Sequence, residues 1–330
     1  MTMEPLHAPF PWFGGKSRIA PLVWQRFGDV ANYVEPFAGS LAVLLGRPTP
    51  PRVETVNDKD ALVCNFWRAL QADPDGVASW ANWPVNESDL HARHVWLRAQ
   101  LPRLAPTLEG DPHAYDVKIA GWWVWGLACW IGGGFCGASS GGPWGVNDDG
   151  QLVHLGNAGR GVTRRLVHLG DAGRGVTRRR VHLGDAGPEG LLAWMRALAD
   201  RLQRVRVCCG DWTRVMGKMP TISNGLTGIV LDPPYSAEAD RDPTIYACED
   251  LRVAQDVRAW ALAHGDDPQL RIALCGYEGE HEMPSVWAAV PWKAHGGYGV
   301  QGDARGRTNA AREVVWFSPH CLGPADPRLF

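Results

Sequence analysis

The hydrophobic and polar positions near the amino terminus follow the periods of short strands and helices in alternation. Helical apolar spacing covers residues 19–27, 41–46 and 61–70, and short strands are predicted at residues 32–34 and 52–56. The first strand runs into a glycine-bearing turn, and the second ends at Asn57-Asp58. Strand, glycine turn, helix, strand and acidic residue is the βαβ order of a doubly wound sheet.

A second group of strands and helices lies in the carboxyl-terminal part. We predict helices at residues 191–202 and 250–263, and strands at residues 204–208, 227–231, 271–275 and 313–317. The expected fold is therefore α/β, with a Rossmann-like sheet built from both ends of the chain and helices on both faces. We predict one domain from residues 1–66 and 203–330 and an insertion at residues 67–202.

The predicted insertion has three parts. Residues 67–118 have a polar, helical pattern interrupted by prolines 74, 84, 102, 106 and 112. The apolar run at residues 119–131 is shorter than the roughly 20 residues of a membrane span, so we expect it to be a buried core segment. Residues 153–166 and 167–180 then repeat one 14-residue sequence, and residues 181–190 repeat it in part. The glycines of each copy argue against helix and favour strand–turn–strand.

Composition and charge narrow the functional classes. The chain is 45% hydrophobic and 21% charged, which is typical of a soluble protein, and the amino terminus lacks the pattern of a signal peptide. We therefore expect a cytoplasmic protein. Its 17 tryptophans outnumber tyrosine and phenylalanine together, and most are expected in the core. The eight cysteines include no CxxC pair and are interpreted as reduced thiols.

The repeats are strongly basic in a chain whose net charge is only −2. We predict DNA contacts from their seven arginines: Arg160, Arg164, Arg165, Arg174, Arg178, Arg179 and Arg180. The alternative is a solvated low-complexity insert. Three histidines recur at 14-residue intervals, but no acidic or cysteine ligand accompanies them in phase, so no metal site is predicted.

Asp232-Pro233-Pro234-Tyr235 follows an apolar strand, where ligand sites of open α/β sheets lie. The carboxylate and the Pro233 carbonyl are suited to accept hydrogen bonds from an exocyclic amine, and Tyr235 is suited to stack on its ring. We interpret these four residues as the catalytic centre. The alternative is a proline-terminated strand with a solvated aspartate.

Two further segments indicate a nucleoside cofactor. Gly15-Lys16-Ser17 matches the end of a phosphate-binding loop, but position 10 is phenylalanine and no strand precedes it, so that interpretation fails. Gly15 instead suggests close backbone approach to a ligand, with Lys16 available for a carboxylate and Trp12 for an aromatic ring. The turn at residues 35–40 is of the kind that holds a nucleoside, and Asp58 is placed to accept from ribose hydroxyls.

The motifs WFGGK, YVEPFAGS, VND, GDW and LDPPY occur here in the order of the Dam-type DNA adenine methyltransferases of the alpha group. The chain resembles this family, and phage-encoded members especially, over roughly residues 9–70 and 204–320. The resemblance implies S-adenosylmethionine contacts from Trp12, Gly15, Lys16, Glu35, Phe37, Gly39, Asp58 and Asp232, with Asp211 and Trp212 near the cofactor adenine. It assigns Asp232 and Tyr235 to the target base. It also implies that residues 1–66 and 203–330 form the catalytic domain and that residues 67–202 are a target-recognition insertion. Ser40-Leu41 departs from the small residues common in the family, which affects the start of the next helix.

The expected activity is S-adenosylmethionine-dependent N6-methylation of a flipped-out adenine in double-stranded DNA, by a monomer. A second interpretation is methylation of another planar amine, in RNA or at a glutamine of a protein. A third is an inactive relative that only binds DNA. The intact Lys16, Asp58 and Asp232 argue against the third interpretation.

Overall fold

A computed structural model describes residues 6–10, 12, 15–130, 135–137, 144–146, 152–154, 183–217, 222–234, 252–292 and 313–323. The helices in these ranges are α1 (Ala20–Phe27), α2 (Ala42–Leu45), α3 (Ala61–Ala72), α4 (Pro74–Ala81), α5 (Glu87–Gly110), α6 (Val117–Cys129), α7 (Leu183–Leu202) and α8 (Val253–His264). A short 3-10 helix spans Trp212–Val215.

One seven-stranded sheet organises the fold. Its strands are β1 (Asn32–Glu35), β2 (Val53–Asp58), β5 (Val205–Cys209), β6 (Thr227–Leu231), β7 (Leu270–Tyr277), β8 (Ala288–Trp292) and β9 (Glu313–Phe317), in the order β5-β2-β1-β6-β7-β9-β8. The neighbours from β5 to β7 pair in parallel, and β9 pairs antiparallel with β7 and β8. The sheet therefore combines strands from both ends of the chain, as predicted, and β8 is a strand that the sequence pattern did not reveal.

Helices cover both faces of the sheet, which confirms the predicted α/β class. Buried residues of α1 and of α3 to α7 form one hydrophobic cluster against one face, and α8 and the 3-10 helix belong to a second cluster. The predicted core segment lies largely within α6, where Trp123 and Trp125 are fully buried. The division into a catalytic domain and an insertion stays a prediction.

The helical pattern was expected to be interrupted at Pro102 and Pro106, but helix α5 is continuous there. It continues through Pro102 and Pro106, although a proline inside a helix removes a hydrogen bond. Leu97, Leu104 and Leu108 lie at helical spacing on both sides of these prolines and are all buried. Burial of this face favours one continuous helix over a break.

The third, partial repeat is also corrected. Helix α7 begins at Leu183 inside that copy, where strand and turn were expected from the glycines. The following apolar residues Leu191, Met195 and Leu198 pack into the core, and this packing outweighs the low helix propensity of glycine. Strand β4 (Leu152–His154) overlaps the first copy and pairs antiparallel with β3 (Trp144–Val146). The seven repeat arginines lie outside the described residues.

Among the described residues, no helix combines the length and the apolar character that crossing a membrane requires.

Candidate active site

The predicted site residues meet along the carboxyl edge of three adjacent strands. Glu35 is the last residue of β1, Asp58 is the last of β2, and Asp232 directly follows β6. Because β2, β1 and β6 are parallel neighbours, their carboxyl ends lie at the same edge of the sheet. Ligands of open α/β sheets bind at this edge.

Lys16 forms an ion pair with Asp232. Its Nζ lies 2.9 Å from Asp232 Oδ2, and the side chains are 6% and 22% exposed. A charge-assisted contact at this distance fixes the carboxylate where solvent is largely excluded. The indole of Trp292, at the end of β8, lies 5.7 Å from the same ammonium group. The amino-terminal loop is thereby attached directly to the tetrad.

Glu35 is buried beside this pair. The Tyr33 hydroxyl donates to Glu35 Oε2 at 2.9 Å. Burial raises the pKa of Glu35 to about 8; the hydrogen bond from Tyr33 opposes that rise, and the negative charge of Asp232 adds to it. At neutral pH Glu35 is therefore mainly a neutral acid.

We expect Glu35→Gln to flatten the pH dependence of stability. Above the ordinary carboxyl value of 4.5 the unfolded chain loses this proton, whereas the folded chain keeps it until the pKa of about 8. The wild-type free energy of unfolding should therefore fall as pH rises through this interval, by up to about 1.4 kcal/mol per pH unit. Denaturant unfolding of both proteins at several pH values measures the difference. Equal slopes would show that Glu35 is ionised in the folded state.

Asp58 holds the turn after β1. Its Oδ2 accepts from the Gly39 N–H at 2.9 Å, and its Oδ1 accepts from the Asp60 N–H at 2.9 Å. Burial raises the pKa of Asp58 to about 6, the charge of Asp60 adds to the rise, and the backbone hydrogen bonds oppose it. The carboxylate thus fixes the glycine turn.

Gly39 requires the absence of a side chain. Its φ is +45°, and a Cβ built there would lie 2.3 Å from Trp12 Nε1. The Trp67 indole donates to the Gly39 carbonyl at 2.9 Å, so two tryptophans enclose this turn. Leu41, where the family commonly has small residues, has a φ of 55° and is fully buried. Helix α2 then spans four residues.

Phe37 and Trp212 form an aromatic pair at the same edge. Their ring centroids are 6.2 Å apart and their planes differ by 28°. The Asp211 carboxylate is exposed and accepts from the Thr213 N–H and hydroxyl, so it caps the 3-10 helix. Of the other predicted residues, Gly15 is exposed, Pro233 is buried, Pro234 is partly buried, and Tyr235 lies outside the described residues.

Three contributing residues received no role in the sequence interpretation. Tyr33 bonds Glu35, Trp67 bonds the Gly39 carbonyl, and Trp292 lies beside Lys16. Tyr33 and Glu35 are two residues apart on a strand, so the alternation of side chains already placed them on one face. Local sequence contains no comparable signal for Trp67 or Trp292.

One comparison with known proteins matches the amino-terminal part of the chain. Residues 12–92, about a quarter of the chain, match the family model of the D12 class N6 adenine-specific DNA methyltransferases. Over these residues the chain is similar to that family, which indicates an adenine-specific DNA methyltransferase. The matched segment carries Lys16, Glu35, Gly39 and Asp58. A search of curated proteins finds no significant match.

For this methyltransferase, the family implies DNA as substrate and, in general, S-adenosylmethionine as methyl donor. The match confirms the adenine-specific activity expected from the motifs, while the Dam-type subgroup remains a finer prediction. The seven-stranded α/β sheet is consistent with a methyltransferase of the Rossmann-like kind.

Proposed function

We propose that this methyltransferase belongs to the Dam-type alpha group and transfers methyl from S-adenosylmethionine to the N6 atom of a flipped-out adenine in duplex DNA. Asp232, Pro233, Pro234 and Tyr235 form the proposed catalytic centre. The observation that carries the proposal is the 2.9 Å contact between Lys16 and Asp232 at the carboxyl edge of β1, β2 and β6. It joins the segment matched by the family to the tetrad outside that segment.

The residues at this edge fit the proposed cofactor. The turn at Gly39 packs closely against the Trp12 indole, Asp58 offers an acceptor for ribose hydroxyls, and Phe37 and Trp212 offer aromatic faces for adenine. Trp12, Gly15, Lys16, Glu35 and Asp211 complete the proposed cofactor site. When bound, S-adenosylmethionine supplies a methyl group activated by its sulfonium.

The chain's own groups position the adenine amine. The Asp232 carboxylate and the Pro233 carbonyl each accept a hydrogen bond from one N–H group of this amine. These bonds favour a tetrahedral nitrogen whose lone pair is available. Lys16 orients the Asp232 carboxylate and offsets its negative charge. Because Glu35 is neutral, it places no second negative charge beside Asp232. Such transfer depends on positioning and electrostatics and needs no cysteine nucleophile. Tyr235 replaces part of the stacking that the flipped base loses.

The choice of acceptor tests this function. Purified protein is incubated with S-adenosylmethionine carrying a labelled methyl group and with duplex DNA, RNA or protein substrates. We expect label in duplex DNA, released as N6-methyladenine on hydrolysis. Label mainly in RNA or protein would support the second interpretation, and cofactor binding without transfer to any acceptor would contradict the catalytic proposal. Absence of cofactor binding by calorimetry would support an inactive DNA-binding relative.

The insertion at residues 67–202 is proposed to recognise DNA, and the repeat arginines to contact phosphates. Deletion of residues 167–180 removes four arginines and one aspartate. Each lost phosphate contact lowers the slope of log affinity against log salt by about 0.9. We therefore expect weaker DNA binding with a shallower salt dependence, measured by fluorescence anisotropy. An unchanged slope would show that the repeats are a solvated insert.

A further inference from the structure

Asn57 connects the turns on both sides of strand β2. Its side chain is buried, and its Nδ2 donates to the Pro36 carbonyl at 3.1 Å and to the Gly210 carbonyl at 3.0 Å. Pro36 follows β1 and Gly210 follows β5, and these strands flank β2 in the sheet. One amide group therefore spans the cofactor edge across three strands.

The main chain reinforces the same connection. The Asn57 carbonyl accepts from the Ala38 N–H at 2.8 Å, and the Asp58 carbonyl accepts from the Gly210 N–H at 2.8 Å. Each turn is thus held to the end of β2 by a backbone bond and by a bond from the Asn57 side chain, and the turn after β1 is also held by Asp58 Oδ2. A substitution of Asn57 removes its side-chain hydrogen bonds and leaves the backbone hydrogen bonds in place.

These two turns carry the aromatic pair. Phe37 is adjacent to Pro36, and Trp212 lies two residues after Gly210. Their ring centroids are 6.2 Å apart, whereas a flat ring between two others needs roughly 7 Å, twice the usual contact distance of carbon atoms. Small shifts of either turn consequently decide whether the faces fit an adenine ring.

The side-chain amide of Asn57 makes its two hydrogen bonds through the N–H groups of Nδ2. Within the described part of the chain, Asn57 Oδ1 is buried without a hydrogen-bond partner, which costs free energy. Two buried carbonyls require an N–H donor, and a carboxylate of the same shape would face both with negative charge. The side chain at this position is therefore suited to fixing the two turns rather than to filling the core.

We propose that Asn57 is a positioning residue that sets the spacing of Phe37 and Trp212 and thereby the affinity for the adenosyl half of S-adenosylmethionine. The proposal rests on the proposed function, because it takes these two rings as the adenine site. The proposal adds Asn57, which is not among the proposed cofactor contacts, and it predicts that Asn57 affects binding of the adenosyl half.

The test compares Asn57→Ala and Asn57→Asp with wild type in cofactor binding by calorimetry and in methyl transfer to duplex DNA. Loss of two hydrogen bonds predicts a rise of about tenfold in the Kd and KM for S-adenosylmethionine. At saturating cofactor, kcat should change less than about threefold, because Asp232 and Lys16 are untouched. Competition by 5′-methylthioadenosine, which lacks the amino-acid end, should weaken by the same factor.

Asn65→Ala is the matched control. Asn65 is also buried, and its side chain makes two hydrogen bonds, of 2.9 and 2.7 Å, to the backbone of Asp116, the residue before α6. We expect this variant to lose stability while its cofactor Kd stays within about twofold of wild type. Equal Kd changes in both Asn→Ala variants, or an unchanged Kd in the Asn57 variants, would overturn the proposal. If Asn57→Ala does not fold, Asn57→Asp and Asn57→Ser provide the comparison.

The two proposals fail differently. If wild type binds no S-adenosylmethionine, the proposed function fails before Asn57 is tested. If wild type binds and transfers methyl but the Asn57 variants keep wild-type affinity, the positioning role alone is wrong.

Discussion

Asp232→Ala is expected to lower methyl transfer to duplex DNA by on the order of a thousandfold, the scale on which removal of one positioned electrostatic group acts in an active site. The carboxylate accepts from the adenine amine in the proposed geometry, and Lys16 fixes its orientation at 2.9 Å. Steady-state transfer of labelled methyl groups measures the loss. Full activity in this variant would contradict the assignment of residues 232–235 as the catalytic centre.

Stability must be separated from chemistry in this experiment. Asp232→Ala removes the carboxylate that Lys16 contacts, so the variant is expected to lose stability as well as activity. Activity is therefore measured under conditions in which circular dichroism shows the variant folded. Asp232→Asn keeps the shape of the side chain and one acceptor oxygen, and we expect its activity to lie between those of wild type and Asp232→Ala. Asp266→Ala removes a fully exposed carboxylate and should leave transfer unchanged.

The second large effect is expected for Gly39→Ala. A left-handed alanine costs about 1–2 kcal/mol, and the new Cβ would lie 2.3 Å from Trp12 Nε1. The indole or the turn must shift, and displacement of a positioning group by about 1 Å costs on the order of a hundredfold. We expect a loss of this size in the rate of methyl transfer, together with weaker binding of S-adenosylmethionine, which calorimetry measures.

Two controls identify the cause. Gly110→Ala adds a methyl group at the end of α5, where nothing lies within 4 Å, and should leave cofactor affinity unchanged. In the double variant Trp12→Ala/Gly39→Ala the steric conflict is absent while the backbone strain remains. If the conflict dominates, the two substitutions are strongly non-additive. Simple additivity would assign the loss to backbone strain.

The positions of the strands and of the site residues were largely predictable. Strand-ending acidic residues at Glu35, Asp58 and Asp232 follow from short strand-like runs that end at turn residues, and parallel strands bring their ends to one edge. The prolines of α5 and the glycines before Leu191 misled the prediction. Local propensity was outweighed there by the burial of leucine faces. Strand β8 contains two alanines and Pro291, residue types that are uncommon in strands, so the sequence did not predict it.

The sequence by itself determined the α/β class, the order of the motifs and the residue types suited to an amine acceptor, because these depend on local periodicity and side-chain chemistry. Only the tertiary structure decided that Lys16 pairs with Asp232, that Glu35 carries a proton near neutral pH and that Asn57 joins two turns. These properties depend on burial and on contacts between segments far apart in the chain. Solvation and distance, which set both pKa and hydrogen bonding, exist only once the chain is packed.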